Sequence, residues 1–488
     1  MCLVCAGGGA LCSHFFPERR APLRAGTDVF EARERALLGA RYDEVYRPQG
    51  EVRRALTRNA LRCSEARFLQ LMGPSVCRAP FCADSFYLLD ETARPGKSPL
   101  YHAGAYYVQE ASAAAPAPLL DVQPGQRVLD MCAAPGGKSA QLAGALGGRG
   151  LLVANEYDAA RANILKSNLE RMGVANAVVL NEAPARIAAA LPGWFDRVLV
   201  DAPCSGEGMF RKEPQAVRQH SQALVQRCAA LGAQILDAAA AALRPGGRLV
   251  YSTCTFAPEE DEAQVGAFLA RHAEFSTVPC GVGFGSPGEA ARCGEHPFCA
   301  QHTRRIYPCH GARAILWLCW KKRRRALAGP RRRMPRARRP GRPGPKERAG
   351  AAQPRRWLSA GIFSAAGRRA EDLQTFGSAV HLLAPGAFPH GTQLRVVRAG
   401  VPVGKEEKGR FEPAHALFMA YGALCENREE LQPGSPLCAA WLRGEAIPAH
   451  TARAGWAAVT VAGLPLGFGK ASGGMVKNRY PKGLRNLG

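Results

Sequence analysis

Residues 127–138 read Arg-Val-Leu-Asp-Met-Cys-Ala-Ala-Pro-Gly-Gly-Lys, a short apolar run that ends in a glycine-rich turn. A helical pattern follows over 139–146, and strand and helix patterns then alternate along the chain. The strand patterns lie at 150–155, 176–180, 195–201 and 248–252, and the longer helical ones at 159–172 and 222–243. This alternation predicts a doubly wound, Rossmann-like α/β domain over about 116–308, with ligands at the carboxyl ends of its strands.

The composition is that of a globular protein with a strong positive charge. The 488 residues are 47% hydrophobic and 22% charged, which excludes a wholly disordered or collagen-like chain. With 65 Lys and Arg against 40 Asp and Glu, the net charge of +25 favours a polyanionic partner, most often nucleic acid. The absence of a run of about 18 apolar residues and of a signal-peptide pattern, with 17 scattered cysteines, predicts a cytoplasmic protein without membrane segments.

The turn after the first strand pattern carries features of a cofactor site. Gly136 and Gly137 allow the backbone to approach a ligand closely, and the helix that follows attracts negative charge to its N-terminus. Glu156 lies 20 residues beyond Gly136, the offset at which an acidic side chain reaches ribose hydroxyls. The turn lacks the glycine spacing of a dinucleotide site and of a P-loop, so a tight structural turn is the alternative.

Two cysteines follow predicted strands and are expected to converge at one edge of the sheet. Cys204 ends the motif Asp201-Ala-Pro-Cys, and Cys254 follows the strand pattern at 248–252. A thiolate is a strong nucleophile when positive charge lowers its pKa, and Lys138 is a candidate for that role. A structural role is the alternative for each cysteine. We expect no metal site, because both lack C-x-x-C spacing and His partners, and the pair at 2 and 5 has no second pair.

Three motifs at these strand ends resemble the Sun-type RNA cytosine-carbon-5 methyltransferases. They read Asp-Met-Cys-Ala-Ala-Pro-Gly-Gly-Lys at 130–138, Asp-Ala-Pro-Cys-Ser-Gly-Glu-Gly at 201–208 and Tyr-Ser-Thr-Cys-Thr-Phe at 251–256. Residues 96–110 are similar to the stretch that precedes the catalytic domain in that family. Trp-Leu-Arg-Gly-Glu at 441–445 and Pro-Leu-Gly-Phe-Gly-Lys at 465–470 resemble the RsmF-like ribosomal RNA methyltransferase branch.

The resemblance implies a class I methyltransferase that uses S-adenosyl-L-methionine to methylate carbon 5 of cytosine in 16S (small-subunit) ribosomal RNA. Carbon 5 of cytosine is a poor nucleophile, so a thiolate first adds to carbon 6. By resemblance Cys254 is that nucleophile, Cys204 helps to release the adduct, and Asp201 holds the base edge. DNA cytosine methyltransferases draw their nucleophile from a Pro-Cys motif, so the second thiol in Ser-Thr-Cys254 favours RNA. The target cytosine is expected to be unstacked, since it must be reached on both faces.

The resemblance also implies which residues form the site. Lys138 joins Cys254, Cys204 and Asp201 in the catalytic set. The cofactor is expected to contact Cys132, Ala133, Ala134, Pro135, Gly136, Gly137, Lys138, Glu156 and Asp201.

The resemblance divides the chain into five parts. Residues 1–27 are expected to be disordered, 28–115 to bind RNA and 116–308 to form the methyltransferase domain. Residues 309–371 are an aberrant or linker segment, and 372–488 form a β-rich, PUA-like RNA-binding domain of the RsmF type. The stretch 321–356 holds 16 basic residues and one acidic residue, so it supplies +15 of the +25. The case for RNA therefore rests on the cysteine motifs. We expect a monomer that binds the small ribosomal subunit and no membrane.

One departure from the family pattern lies in the expected cofactor site, because Ala183 stands where the family has an acid, with Glu182 beside it. Two alternative functions stay open. One is the same chemistry on transfer RNA. The other is a non-catalytic RNA-binding or ribosome assembly factor, inactive through loss of the closing strand that relatives have after residue 308.

A frameshift in the coding sequence would explain the segment 309–371. One permitted codon spelling of residues 312–320, read two bases later, gives Glu-Gly-His-Phe-Val-Ala-Leu-Leu, which is how the family continues. In the same frame, residues 321–325 can become Glu-Lys-Ala-Ala-Glu. We predict a frameshift that opens near residue 310 and closes before about Phe376, and the first 27 residues are expected to share this origin. A basic RNA-binding linker is the alternative.

Sequencing of the coding DNA across codons 305–376 checks this prediction. Codons that match the shifted spelling support the frameshift. An intact frame whose codons are incompatible with that spelling contradicts it.

Overall fold

A computed structural model describes residues 28–47, 53–210, 212–311, 315–323, 372–376, 378–383, 388–389, 392–407 and 410–486. The segment 1–27, for which disorder and a frameshifted origin are expected, lies outside the described residues. Most of the segment 309–371 also lies outside them.

The N-terminal region holds a small antiparallel sheet. Its elements are α1 (Asp28–Leu38), α2 (Tyr42–Tyr46), β1 (Ala55–Arg58), α3 (Glu65–Met72), β2 (Val76–Arg78), β3 (Ser85–Leu88), α4 (Pro99–His102), β4 (Tyr106–Val108) and α5 (Pro116–Leu119). The strand order is β2-β3-β1-β4, and each neighbouring pair is antiparallel.

A large mixed sheet occupies the middle of the chain. Its elements are β5 (Arg127–Asp130), α6 (Gly137–Leu146), β6 (Leu151–Asn155), α7 (Ala159–Arg171), β7 (Ala177–Leu180), α8 (Pro184–Ala190), β8 (Phe195–Asp201), α9 (Pro214–Gln219), α10 (Gln222–Ala242), β9 (Leu243–Thr253), α11 (Glu262–Arg271), β10 (Phe275–Val278), β11 (Ser286–Pro287), β12 (Arg304–Ile306) and β13 (Ile315–Lys322). Five strands run parallel in the order β7-β6-β5-β8-β9. The predicted doubly wound α/β fold is therefore confirmed.

The strands of this sheet bury side chains on both faces. Leu152 and Ala154 of β6 pack with α5, α6 and α7, whereas Leu151 and Val153 pack with α8, α10 and α11. Successive side chains of a strand point to opposite faces, so a strand covered on both sides must be apolar throughout. The continuous apolar patterns in the sequence follow from this double burial.

The sheet extends beyond residue 308, because β13 pairs antiparallel with β9 on one side and with β12 and β10 on the other. The closing strand, whose loss would favour a non-catalytic factor, is therefore present in the structure as Ile315–Lys322. Cys319 and Trp320 are buried in the two core clusters. The run Ile-Leu-Trp-Leu-Cys-Trp at 315–320 is apolar and rich in residues that favour strands, so it can complete the sheet despite its departure from the family.

The C-terminal part contains two further sheets. Its elements are β14 (Leu373–Phe376), β15 (Ala379–Leu382), β16 (Val396–Ala399), β17 (Val401–Glu407), β18 (Arg410–Pro413), α12 (His415–Tyr421), β19 (Arg428–Leu431), α13 (Pro436–Arg443), β20 (Ile447–Pro448), β21 (Gly455–Val461), β22 (Leu464–Ser472) and β23 (Met475–Asn478). The sheet orders are β14-β15-β17-β18 and β19-β21-β22-β23-β20. β16 instead joins the large sheet, antiparallel to β7.

The N-terminal and C-terminal parts share one hydrophobic cluster. Phe68 and Phe86 of the N-terminal region lie in the same cluster as Trp441 of α13. His102 Nδ1 of α4 lies 2.8 Å from the hydroxyl of Tyr480, which follows β23. The two parts therefore form one continuous core beside the large sheet.

A buried ion pair joins α1 to the large domain. Arg292 donates from Nη1 and Nη2 to the two carboxylate oxygens of Glu34 over 3.0 and 2.7 Å, and both side chains are fully buried. A buried charge that loses its partner lowers the free energy of unfolding far more than an exposed charge does, because no water replaces the lost contact.

We predict that Arg292→Met lowers the free energy of unfolding by about 3–5 kcal/mol, since it leaves the Glu34 carboxylate buried and short of its partner. Arg35→Met on the same helix removes an exposed pair with Glu31 and should have little effect, because water screens that pair. Urea unfolding followed by tryptophan fluorescence measures both. Equal shifts for the two variants would contradict the prediction.

Candidate active site

The glycine turn lies between β5 and α6, and its backbone conformation and close packing require glycine. Gly136 has a φ of +115°, which disfavours every residue with a Cβ, and a Cβ there would lie 3.2 Å from Leu165 Cδ1. A Cβ on Gly137, the first residue of α6, would lie 2.8 Å from Gln109 Oε1. The turn is therefore tightly packed against Leu165 and Gln109. It places the N-terminus of α6 at the carboxyl edge of the sheet.

Asp130 ends β5 beneath this turn and is 1% exposed. Its Oδ2 accepts a hydrogen bond from Ser139 Oγ at 2.6 Å, whereas Oδ1 has no partner among the described residues. Burial raises the pKa of this carboxyl to about 7, although the bond from Ser139 opposes the shift. An unpartnered buried oxygen next to the turn is consistent with a site that accepts a polar ligand.

Glu156 and Glu182 follow neighbouring strands at the same edge. Glu156 follows β6, is 5% exposed and accepts from the backbone N–H of Asp158 at 3.1 Å. Glu182 follows β7, and its Oε1 accepts from the backbone N–H of Arg395 at 2.6 Å. Ala183 is the N-terminal cap of α8 and makes no side-chain cap bond. The Glu182 carboxylate therefore holds the chain just before β16.

Lys138 and Asp201 form an ion pair at the centre of the edge. Lys138 Nζ donates to Asp201 Oδ2 at 2.7 Å, and Ser252 Oγ donates to Asp201 Oδ1 at 2.6 Å. Burial disfavours the Lys138 ammonium, but the charge and hydrogen bond of Asp201 outweigh this effect and raise its pKa. Lys138 therefore keeps its positive charge at neutral pH, and its contact together with that of Ser252 holds the Asp201 side chain in one orientation.

The two predicted cysteines meet beside this pair. Cys204 Sγ lies 2.9 Å from Cys254 Sγ and accepts from the backbone N–H of Cys254 at 3.2 Å. The hydrogen bond with Cys254 and burial together raise the pKa of Cys204 well above its ordinary value. Cys204 is therefore a thiol at neutral pH, and its S–H can donate to the sulfur of Cys254.

Cys132 lies at the same edge and is a third thiol near the pair. Burial raises its pKa, as do the carboxylates of Asp130 and Glu156, in that order. A thiol with a strongly raised pKa is a poor nucleophile at neutral pH. Cys132 is therefore a poor candidate for the attacking thiol.

The segments that carry Cys204 and Cys254 are supported by three residues that the sequence analysis did not single out, namely Ser205, Ser252 and Thr255. Ser252 orients Asp201, and the Ser205 hydroxyl lies 2.8 Å from that of Thr255. All three lie inside or next to the cysteine motifs. Their positions were visible in the sequence, but their partners lie about 50 residues away along the chain.

Within the described residues, no group of three or more His, Cys, Asp or Glu side chains is arranged to hold a metal ion. The pair Cys2 and Cys5 lies outside that part of the chain. No helix of the described part is both long and apolar enough to cross a bilayer.

Four family models match consecutive parts of the chain. The model described as 16S rRNA methyltransferase RsmB/F matches residues 117–316. The RsmF N-terminal domain matches 27–111, the RsmF first C-terminal domain 365–421 and the RsmF PUA domain 428–486.

The chain is similar to a relative of known name in its sequence and to two solved structures in its fold. Ribosomal RNA small subunit methyltransferase F of Klebsiella pneumoniae (strain 342) is 32% identical over 489 residues, which cover 94% of this chain and 96% of the relative. A methyltransferase homolog from Pyrococcus horikoshii is 29% identical, covers 60% of this chain and 94% of its own, and has a TM-score of 0.54. NSun6 from Pyrococcus horikoshii, solved with SFG, is 18% identical with a TM-score of 0.51 and shows the fold alone.

The resemblance drawn from the strand-end motifs is confirmed by these matches, which extend over both flanking regions as well as the large sheet. With 32% identity over nearly the full length of a relative and the RsmF-specific domains in their order, the chain belongs to the 16S rRNA methyltransferase RsmB/F family, in its RsmF branch.

Proposed function

We propose that this protein methylates carbon 5 of a cytosine in 16S (small-subunit) ribosomal RNA, with S-adenosyl-L-methionine as methyl donor. Its family consists of methyltransferases, and the relative from Klebsiella pneumoniae is named for the ribosomal RNA of the small subunit. The observation that carries the proposal is the pair of cysteine sulfurs 2.9 Å apart, beside the contact between Lys138 and Asp201. A covalent mechanism with separate attack and release steps needs such a pair.

The residues around the glycine turn fit S-adenosyl-L-methionine. The N-terminus of α6 at the glycine turn attracts a negatively charged or polar group, and the Glu156 carboxylate follows β6 at the edge where ribose hydroxyls are bound in such sheets. We assign cofactor contacts to Cys132, Ala133, Ala134, Pro135, Gly136, Gly137, Lys138, Glu156 and Asp201. When bound, the cofactor supplies an electrophilic methyl group.

Attack on the base is assigned to Cys254. Its thiolate adds to carbon 6 of the cytosine, which turns the ring into an enamine that is nucleophilic at carbon 5. Lys138 supplies positive charge at this edge, which favours the negative charge that the addition pushes toward N3, and Asp201 holds the base edge. Ser252 orients the Asp201 carboxylate, so the acceptor is in place before the substrate arrives.

Release is assigned to Cys204. After methyl transfer, carbon 5 carries both a methyl group and a proton. Transfer of that proton to solvent water re-forms the double bond between carbons 5 and 6 while the bond from carbon 6 to the Cys254 sulfur breaks, and the electron pair of that bond stays on the sulfur. Cys204 lies 2.9 Å from that sulfur, close enough to assist the departure of the thiolate.

We also propose that the flanking regions position the RNA. Residues 28–115 and 372–488 share a hydrophobic cluster beside the large sheet, and both contain matches to RsmF-specific domains. The residues outside 321–356 carry a net charge of +10, a moderate excess that suits an RNA enzyme. The protein is proposed to act in the cytoplasm as a monomer.

Cys254→Ala is expected to abolish methyl transfer, because no other thiol at this edge can attack carbon 6. Cys204→Ala is expected to accumulate a covalent protein–RNA adduct, because release is blocked after attack. Denaturing gels with labelled RNA detect the adduct, and transfer from labelled S-adenosyl-L-methionine measures activity. Cys299→Ala removes an exposed thiol elsewhere in the same domain and should behave like the wild type.

An adduct in Cys254→Ala and none in Cys204→Ala would reverse the two assignments. Full activity in both variants would contradict the covalent mechanism altogether.

The substrate class is tested by methyl transfer to 30S subunits compared with bulk transfer RNA. Methylation of the 30S subunit, with 5-methylcytosine found in its RNA, is expected. Preferential methylation of transfer RNA would contradict the ribosomal assignment. Calorimetry with S-adenosyl-L-methionine tests the non-catalytic alternative, since a scaffold without the activity need not bind the cofactor.

A further inference from the structure

Glu207 connects both cysteine loops to the N-terminal helix. It lies three residues after Cys204 and is 2% exposed. Its Oε2 accepts from the backbone N–H of Phe256 at 3.1 Å, two residues beyond Cys254. Arg33 of α1 donates from Nη1 and Nη2 to the two carboxylate oxygens at 2.9 and 2.7 Å. One buried carboxylate therefore links three segments that are far apart in sequence.

The Glu207 carboxylate is ionised over the whole physiological range. Burial opposes its ionisation, but the hydrogen bonds from His220 and Arg33 prevail and hold its pKa at about 2. His220 Nε2 lies 2.9 Å from Glu207 Oε1. An ionised acceptor makes stronger hydrogen bonds than a neutral one. The hydrogen bonds to Glu207 therefore hold the segments that donate them in one position.

The loop that carries Cys204 depends on such contacts, because it has little regular structure between β8 and α9. Gly208 N–H donates to the carbonyl of Cys254 at 3.0 Å, and Ser205 N–H donates to Glu260 Oε2 at 2.8 Å. These bonds tie the loop to the segment after β9. Glu207 adds a charged contact to the same segment and extends the connection to α1.

We propose that Glu207 is a positioning residue that sets the separation of the Cys204 and Cys254 sulfurs, and that Arg33 makes α1 part of this arrangement. The proposal rests on the covalent mechanism given above. It assigns to the N-terminal helix a role in the chemistry itself, through a contact that reaches neither RNA nor cofactor.

The test compares four variants over a range of RNA concentrations at saturating cofactor, with a separate titration of the cofactor. Glu207→Ala removes all the contacts, Glu207→Gln keeps a carbonyl that can accept from Phe256, and Arg33→Met removes only the α1 cation. Asp196→Ala is the matched control, since this largely buried carboxylate accepts from the backbone N–H of Arg127 at the other end of β8. Measurements are kcat, KM for RNA, the dissociation constant for S-adenosyl-L-methionine and the fraction of trapped adduct.

Glu207→Ala is expected to lower kcat by about 10- to 100-fold, since small misplacements of reacting groups have effects of that size. The affinity for S-adenosyl-L-methionine and the KM for RNA should stay within about twofold of the wild type, because the Glu207 side chain is buried and its oxygens meet Arg33, His220 and Phe256. Glu207→Gln and Arg33→Met should give intermediate kcat values. If Glu207→Ala does not fold, the kcat of Arg33→Met tests the proposal instead. The Arg33 side chain is partly exposed, so it can be replaced without opening the core.

Asp196→Ala should lower thermal stability but leave kcat and the adduct fraction unchanged. Equal effects of Glu207→Ala and Asp196→Ala on kcat, or wild-type kcat in Arg33→Met, would overturn the positioning role. If neither Cys204→Ala nor Cys254→Ala forms an adduct in the otherwise wild-type protein, the covalent mechanism fails, and that result is distinguishable from failure of Glu207 alone.

Discussion

The parallel pairing of β8 with β9 is the constraint on which the site depends. Its register places Asp201 opposite Ser252, so the segments that leave the two strands emerge side by side. Cys204 and Cys254 follow these strand ends within a few residues, and their sulfurs meet at 2.9 Å. A register change in this pair would separate the thiols and remove the Ser252 contact from Asp201. Both faces of the sheet are buried, which makes such a change costly.

A network of buried charges supports the loops beneath this edge. Glu207 accepts from Arg33, and Arg292 pairs with Glu34 of the same helix. Arg305 pairs with Glu262 and with Asp261, which in turn accepts from the hydroxyl of Thr253. Buried ion pairs stabilise a fold weakly compared with apolar packing, but they tolerate few alternative arrangements. Such pairs are suited to holding irregular loops in one position.

The residues at the carboxyl edge of the sheet were predictable from the sequence because they lie next to strong local patterns. The strand at 195–201 is apolar and is followed directly by Asp-Ala-Pro-Cys, so the edge position of Cys204 follows from the topology of any parallel sheet. The partners of these residues were not predictable in the same way. Arg33 and Glu207 are 174 residues apart, and no periodic pattern relates them. The pairing of β16 with β7 is likewise a contact between distant segments, and it draws Arg395 onto Glu182.

The sequence by itself determined the fold class, the family resemblance and the set of residues at the carboxyl edge, because strand periodicity and contiguous motifs are local properties. Only the tertiary structure decided that Lys138 pairs with Asp201, that the two sulfurs touch, and that Ile315–Lys322 completes the sheet. Those outcomes depend on hydrogen-bond register and on packing between segments that are distant in the chain. Such contacts leave no pattern in the sequence of either segment, so they can be identified only from the three-dimensional structure.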